Sequence, residues 1–155
     1  MMEYEINEET LALIAVGEEC TEVYEQNQIF YVNKNVNEVM EDSCLYFGST
    51  LEGRVKGTER LIGIHYKTPV IVEESSEMIF FPTCSARYHK ENAWISLRHI
   101  KSYYKDGGNQ CMIEFQNGVK IPINISFGSL DNQILRATRL ESALRGRKMH
   151  KKRFK

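Results

Sequence analysis

The sequence predicts an α+β fold: a single strand-rich domain of antiparallel hairpins, with a short helical, glycine-rich segment in its middle and a C-terminal amphipathic helix. Three observations lead there. Short runs rich in β-branched and aromatic residues recur between turn signals at residues 10–32, 69–82 and 94–121. Between the first two, from Val36 to Phe47, the apolar period switches to that of a helix. Near the end, Leu130, Ile134, Ala137, Leu140 and Leu144 form one apolar stripe. At 155 residues, a chain buries about 70% of its unfolded surface, enough for one self-sufficient core. The expected division is a domain of residues 1–146 and a basic tail of residues 147–155, too charged to fold alone.

In chain order, Thr10 to Val16 reads as a strand. Glu22–Glu25 and Gln28–Val32 flank the turn signal Gln26-Asn27 and read as a hairpin. Asn35 followed by Glu38 resembles a capping box, opening a helix with Val36, Val39, Met40, Ser43, Cys44 and Phe47 on its apolar face. Gly48 is its natural terminator. A second short helix starts near Thr50, with Leu51 and Val55 on one face. Pro69–Val72 and Met78–Phe81 are strands joined through Glu74-Ser75-Ser76, and Pro82 ends the second, because proline cannot donate to a ladder. Residues 84–92 form a loop displaying Arg87, Tyr88, His89 and Lys90. Trp94 to Tyr104 is a strand or pair of strands, interrupted near Arg98-His99. The next hairpin has a readable register. A two-residue Asn117-Gly118 loop would set Phe115 against Lys120 and mix the two faces. A three-residue loop, Gln116-Asn117-Gly118, pairs Ile113 with Ile121 and Glu114 with Lys120, keeps one face apolar, and places Gly118 in a left-handed bulge position. A helix from Ser129 to Arg145 follows, with Arg136 and Arg139 projecting away from its stripe.

The stretch from Ser43 to Thr58 holds Gly48, Gly53 and Gly57, with Arg54 and Lys56 between the last two. Its intervals match neither a P-loop nor a dinucleotide fingerprint. Two readings remain. One is an ordered turn that brings backbone and cationic groups to a surface. The other is a helix-turn-helix corner with structural glycines. The net charge of −1 conceals a division: residues 1–42 carry eleven acids and one base, Lys34, whereas the last twenty residues carry nine bases and one acid, Glu141. Such a basic end suits a polyanion. No apolar run approaches the roughly 18 residues of a membrane span, and the acidic Met1-Met2-Glu3-Tyr4-Glu5 is unlike a signal peptide. A cytoplasmic location with four reduced thiols is expected. Cys20, Cys44, Cys84 and Cys111 form no C-x-x-C pair, and the four histidines supply no spaced partner, so no metal or cofactor is expected. Cys84 with His65 or His99 could be drawn as nucleophile and base, but no local signature supports the pair, and the reading is of a non-enzyme.

These landmarks together resemble the ComK family of bacterial competence transcription factors. The family's glycine-rich stretch appears here as Cys44, Tyr46-Phe47-Gly48-Ser49, Gly53-Arg54 and Gly57-Thr58. Lys67 with Pro69, Phe81-Pro82-Thr83, Trp94-Ile95-Ser96, His99, Phe115 with Asn117-Gly118, Ser126, and Asn132-Gln133 with Arg136 follow in order, covering about residues 28–145. Tyr46, Thr50 and Leu51 depart from the pattern. The resemblance implies a sequence-selective activator of competence genes that binds paired A/T-rich boxes on double-stranded DNA through the minor groove, as dimers that assemble further. RNA polymerase is the further partner an activator's role would imply. Family members extend past the position of Lys155 in a segment tied to recognition by a proteolytic adaptor, and that regulation is not carried over. A narrow A-tract minor groove attracts inserted Arg or Lys, so the candidate DNA contacts are Ser49, Gly53, Arg54, Lys56, Arg87, Lys90, Arg136 and Arg139. Two other readings compete: a protein-interaction module without DNA selectivity, and an RNA-binding module in which Trp94, Tyr103 and Tyr104 stack bases.

Overall fold

The computed structural model describes residues 3–85 and 90–153, which form nine strands and three helices. Strands β1 (Thr10–Ala15), β2 (Thr21–Glu25) and β3 (Ile29–Val32) make an antiparallel meander. Helices α1 (Val36–Tyr46) and α2 (Leu51–Ile62) follow. Strands β4 (Val70–Glu73), β5 (Met78–Pro82) and β6 (Ala93–Ser96) then complete a six-stranded sheet in the order β3-β2-β1-β6-β5-β4. Its two halves join where Ala12 of β1 lies opposite Ile95 of β6. Strands β7 (Ile100–Lys105), β8 (Cys111–Phe115) and β9 (Lys120–Ile123) form a second, three-stranded sheet. The long helix α3 (Phe127–Arg153) closes the chain. All the pairings are antiparallel, and the α+β expectation holds.

The large sheet separates two cores, and the two-residue period of its strands assigns side chains to each. On β5, Met78 and Phe80 face one way, and Ile79 and Phe81 the other. Val70 and Val72 share the first face with Leu13, Val23 and Trp94, covered by Val36, Val39 and Met40 of α1. The opposite face packs Ile71, Ile79, Phe81 and Ile95 against Ile113, Phe115 and Ile121 of the small sheet and Leu130, Ala137, Leu140 and Leu144 of α3. Strands β4 to β6 are therefore apolar up to the closing Glu73 of β4 and Ser96 of β6, because both of their faces are covered.

Several local expectations meet their geometry. The Asn35 side chain accepts from the Glu38 N–H and the Glu38 carboxylate from the Asn35 N–H, a complete capping box. At the other end of α1, the Gly48 N–H donates to Leu45 O and the Ser49 N–H to Cys44 O, with Gly48 at φ 83°, the pattern of a Schellman turn. In the β8–β9 hairpin Glu114 opposes Lys120, Ile113 opposes Ile121, and Gly118 has φ 89°, as the three-residue loop requires.

Two boundaries differ from the sequence reading. Of the three clustered glycines only Gly48 lies in a turn. Gly53 and Gly57 sit inside α2, although each costs a helix roughly 1 kcal/mol against alanine. Docking outweighs that cost: Leu51 and Val55 pack on the first core, Leu61 and Ile62 on the second, and the buried Thr58 hydroxyl donates to Pro69 O at 2.7 Å. The other difference is at the C-terminus. The helix does not stop at Arg145 but runs through Gly146 to Arg153, because its basic side chains meet carboxylates on the turn after β4.

Candidate nucleic-acid interface

Helix α2 is held rigidly at both ends. Thr50 caps its start, accepting from the Gly53 N–H, and the Glu41 carboxylate of α1 accepts from the Leu51 N–H at 2.7 Å. This second bond fixes the angle between the two helices. Gly63 ends the helix in the left-handed conformation, φ 71°. One side of α2 then packs inward, while Glu52, Gly53, Lys56, Gly57 and Arg60 are exposed. That spacing places them on a single face.

The two glycines differ in what their bareness serves: at Gly57 it has no internal cause, whereas at Gly53 a side chain would crowd the capping hydroxyl of Thr50. A Cβ built on Gly57 would meet nothing within 4 Å, and one on Gly53 would come to 3.0 Å from the Thr50 hydroxyl and 3.6 Å from that of Ser49. Lys56 is 69% exposed and reaches back to Glu52 at 3.2 Å. Arg54, one residue off the face, turns inward. Its side chain is 20% exposed, its Nη1 lies 3.8 Å from Glu74, and its Nε is buried without a hydrogen-bond partner. Ser49 sits half-buried at the corner, with its hydroxyl bonded to Thr50 O.

Helix α3 lies antiparallel beside α2 and pins the segment that follows it. Arg139 Nη2 donates to Ile62 O at 3.3 Å, Arg136 Nη1 to Tyr66 O at 2.6 Å, and the buried Gln133 amide to Lys67 O and Pro82 O at 2.9 and 2.7 Å. Lys67 itself is left-handed, φ 49°. Arg139 thus covers a carbonyl at the end of α2. Each guanidinium has five N–H groups, so both arginines keep donors for another partner. The candidates therefore separate. Gly53, Lys56 and, at their edge, Ser49 lie at the start of α2. Arg136 and Arg139 lie at its far end. Arg54 faces the interior. Lys90, outside both helices, approaches Glu18 at 3.7 Å. Arg87 lies outside the described residues.

Arg60 was missed by the sequence reading. It falls one turn after Lys56 on the exposed face, and the helical period would have found it had the full length of α2 been apparent. Of the three aromatic residues proposed to stack bases, two are committed elsewhere, while Tyr104 is 41% exposed on β7. Trp94 is 5% exposed and bonds Asn37, and Tyr103 bonds Asp131 and stacks on Phe127. Cys84 donates toward Glu91 O, His99 contacts Glu8 O, and His65 pairs with Glu59. Among the described residues no cluster of three or more His, Cys, Asp or Glu is placed to hold a metal, and no helix is long and apolar enough to cross a membrane.

The family model described as ComK protein matches residues 1–149 of the chain. The chain belongs to the ComK family. A curated relative, the competence transcription factor of Bacillus subtilis strain 168, is 31% identical over 151 residues, covering 96% of this chain and 78% of that protein. No solved structure matches significantly. The residues quoted for the ComK resemblance take definite places in the fold. Gly48 makes the turn between helices, Gly53 and Gly57 form the bare face of α2, and Gln133 and Arg136 clamp the segment behind it.

Proposed function

We propose that the protein is a DNA-binding transcriptional regulator of competence genes, with the exposed face of α2 as its duplex contact. Membership of a family that includes a competence transcription factor supports the class. The observation that carries the site is Gly57, bare on a solvent face between Lys56 and Arg60, with Gly53 one turn before it on the same face. Such glycines weaken the free helix, and their removal of side chains serves a surface that comes in from outside. A helix is about 10–12 Å across with its side chains, too wide for the roughly 6 Å minor groove of B-DNA. The glycine face therefore rides on the sugar-phosphate edge while Lys56 and Arg60 reach into the groove. An A/T-rich box favours this through its narrow, strongly negative groove. Arg136 and Arg139 add phosphate contacts from α3, which set affinity but carry no sequence information. Self-association, as the family resemblance implies, would let two such faces read paired boxes. The protein would act in the cytoplasm, on the nucleoid.

Gly57→Ala tests this directly. It should raise the melting temperature, because alanine favours a helix by about 1 kcal/mol and nothing obstructs the methyl. It should also weaken binding to A/T-box duplex about tenfold, the scale of one lost contact in such an interface. A variant that is stabilised yet binds unchanged would remove α2 from the interface.

A further inference from the structure

The basic end of α3 already holds anions. The turn between β4 and β5 carries three glutamates, and they divide the work. Glu73 shapes the turn, accepting from the Ser75 hydroxyl and the N–H groups of Ser75 and Ser76. Glu77 sits in the left-handed region at φ 53°, a conformation that a non-glycine residue keeps only when its surroundings hold it. Glu74 and Glu77 reach out to α3. Glu77 takes a bidentate pair from Arg145, with Nε at 3.1 and 3.2 Å and Nη2 at 2.9 Å. Glu74 takes Arg147 Nη2 at 2.7 Å, and Lys148 Nζ bonds Glu74 O at 2.7 Å and approaches the Glu77 carboxylate at 3.7 Å. The hydrogen-bonded Arg145 holds the Glu77 carboxyl below its ordinary value. Arg54 Nη1 comes to the Glu74 carboxylate from α2, only at 3.8 Å, and its buried Nε–H is left unanswered.

Cations from two helices thus converge on two carboxylates that belong to the chain itself. Guanidinium forks accept carboxylate and phosphate in the same bidentate geometry. Arg145 is 59% and Arg147 41% exposed, so both pairs are open to solvent and exchangeable. We propose that Arg54, Arg145, Arg147 and Lys148 form a phosphate-backbone site that Glu74 and Glu77 occupy in the free protein, so that nucleic acid gains these cations only by displacing the turn. The inference rests on the duplex-binding reading above and adds a self-blocking contact to it. A phosphodiester in place of the two carboxylates would meet Arg145, Arg147 and Lys148, with Arg54 Nη1 at its inner edge.

The test is Glu74→Gln/Glu77→Gln in the full chain, beside a charge-matched control, Glu3→Gln/Glu19→Gln. Three readouts are needed: elution from a heparin column, affinity for A/T-box and G/C-rich duplexes, and helicity with thermal melting. The freed cations should delay elution and raise affinity for both duplexes alike, by between about twofold and about thirtyfold, the range that releasing two exposed ion pairs supplies. The gain should fade as salt rises and exceed that of the control. Adding Arg147→Gln should remove the share of the gain that came from Glu74 and leave the share that Arg145 supplies, while Arg147→Gln alone should do little, since its charge is already engaged. If the double variant fails to fold, Glu74→Gln alone leaves the Arg145–Glu77 pair intact and gives a smaller gain of the same kind. Unchanged or earlier elution, or a gain no larger than the control's, would overturn the proposal and make the turn a brace for α3. Heparin needs no sequence preference, so the two readings fail separately. Later elution without A/T preference sinks the duplex reading alone, and A/T preference without later elution sinks the latch alone.

Discussion

At the scale of single residues, Arg54 and Lys56 are two positions apart in sequence and differ in kind. Lys56 stands on the exposed face of α2, whereas Arg54 runs its stem against the fold toward Glu74. An arginine placed so contributes packing as well as charge. Arg54→Ala should lower stability by about 1–2 kcal/mol, a fall of roughly 2–8 °C in melting temperature for a domain of this size. Lys56→Ala should leave melting unchanged and reduce duplex affinity. Melting curves and binding isotherms on both variants decide it, and a stable Arg54→Ala protein would contradict this placement. Glu73 makes a pH prediction. Partial burial would raise its carboxyl, but the Ser75 and Ser76 hydrogen bonds outweigh that and pull it from 4.5 down to about 2. A depressed carboxyl contributes stability that is complete above its unfolded value and disappears as pH falls through the folded one. That part of the stability should be lost between about pH 4.5 and pH 2. Glu73→Gln should be less stable at neutral pH, with a flatter urea-midpoint profile across that window.

At the scale of elements, legibility followed the range of the forces. The capping box at Asn35, the Gly48 turn and the β8–β9 register depend on neighbours in sequence, and they were readable. The length of α2 was not, because what offsets Gly53 and Gly57 is packing on two cores and a bond to Pro69 O. The last turns of α3 were not either, since their stabilising partners, Glu74 and Glu77, lie far back in the chain. The candidate site was legible in part. The glycines and Lys56 were marked, Arg60 was hidden with the helix that carries it, and the inward turn of Arg54 could not be told from its neighbours. The apolar stripe of α3 was readable from its period, and Leu140 is fully buried in the second core. Leu140→Ala should destabilise by about 2–5 kcal/mol in chemical denaturation. A change below about 0.5 kcal/mol would mean that α3 is not seated as described.

At the scale of the whole molecule, charge is sorted by position. The acidic first 42 residues supply β1 to β3 and α1, and the basic side chains gather along α2 and α3. If Lys56 and Arg60 in the groove and Arg136 and Arg139 on the phosphates each displace one condensed counterion, the log–log dependence of duplex affinity on salt should have a slope of about −3 to −4. A slope near zero, measured by titration at several salt concentrations, would rule out a phosphate-led interface. The sheet order has a different consequence, one of timing. During synthesis the β1–β3 meander emerges first, yet β1 obtains its second neighbour only when β6 has been made, as the pairing of Ala12 with Ile95 requires. Until then one edge of a hydrophobic strand stays open, and edges of that kind recruit other chains. Closing so long a loop is slow. The protein should therefore refold slowly for its size, and nascent chains that stop before Ala93 should be the form most prone to aggregate.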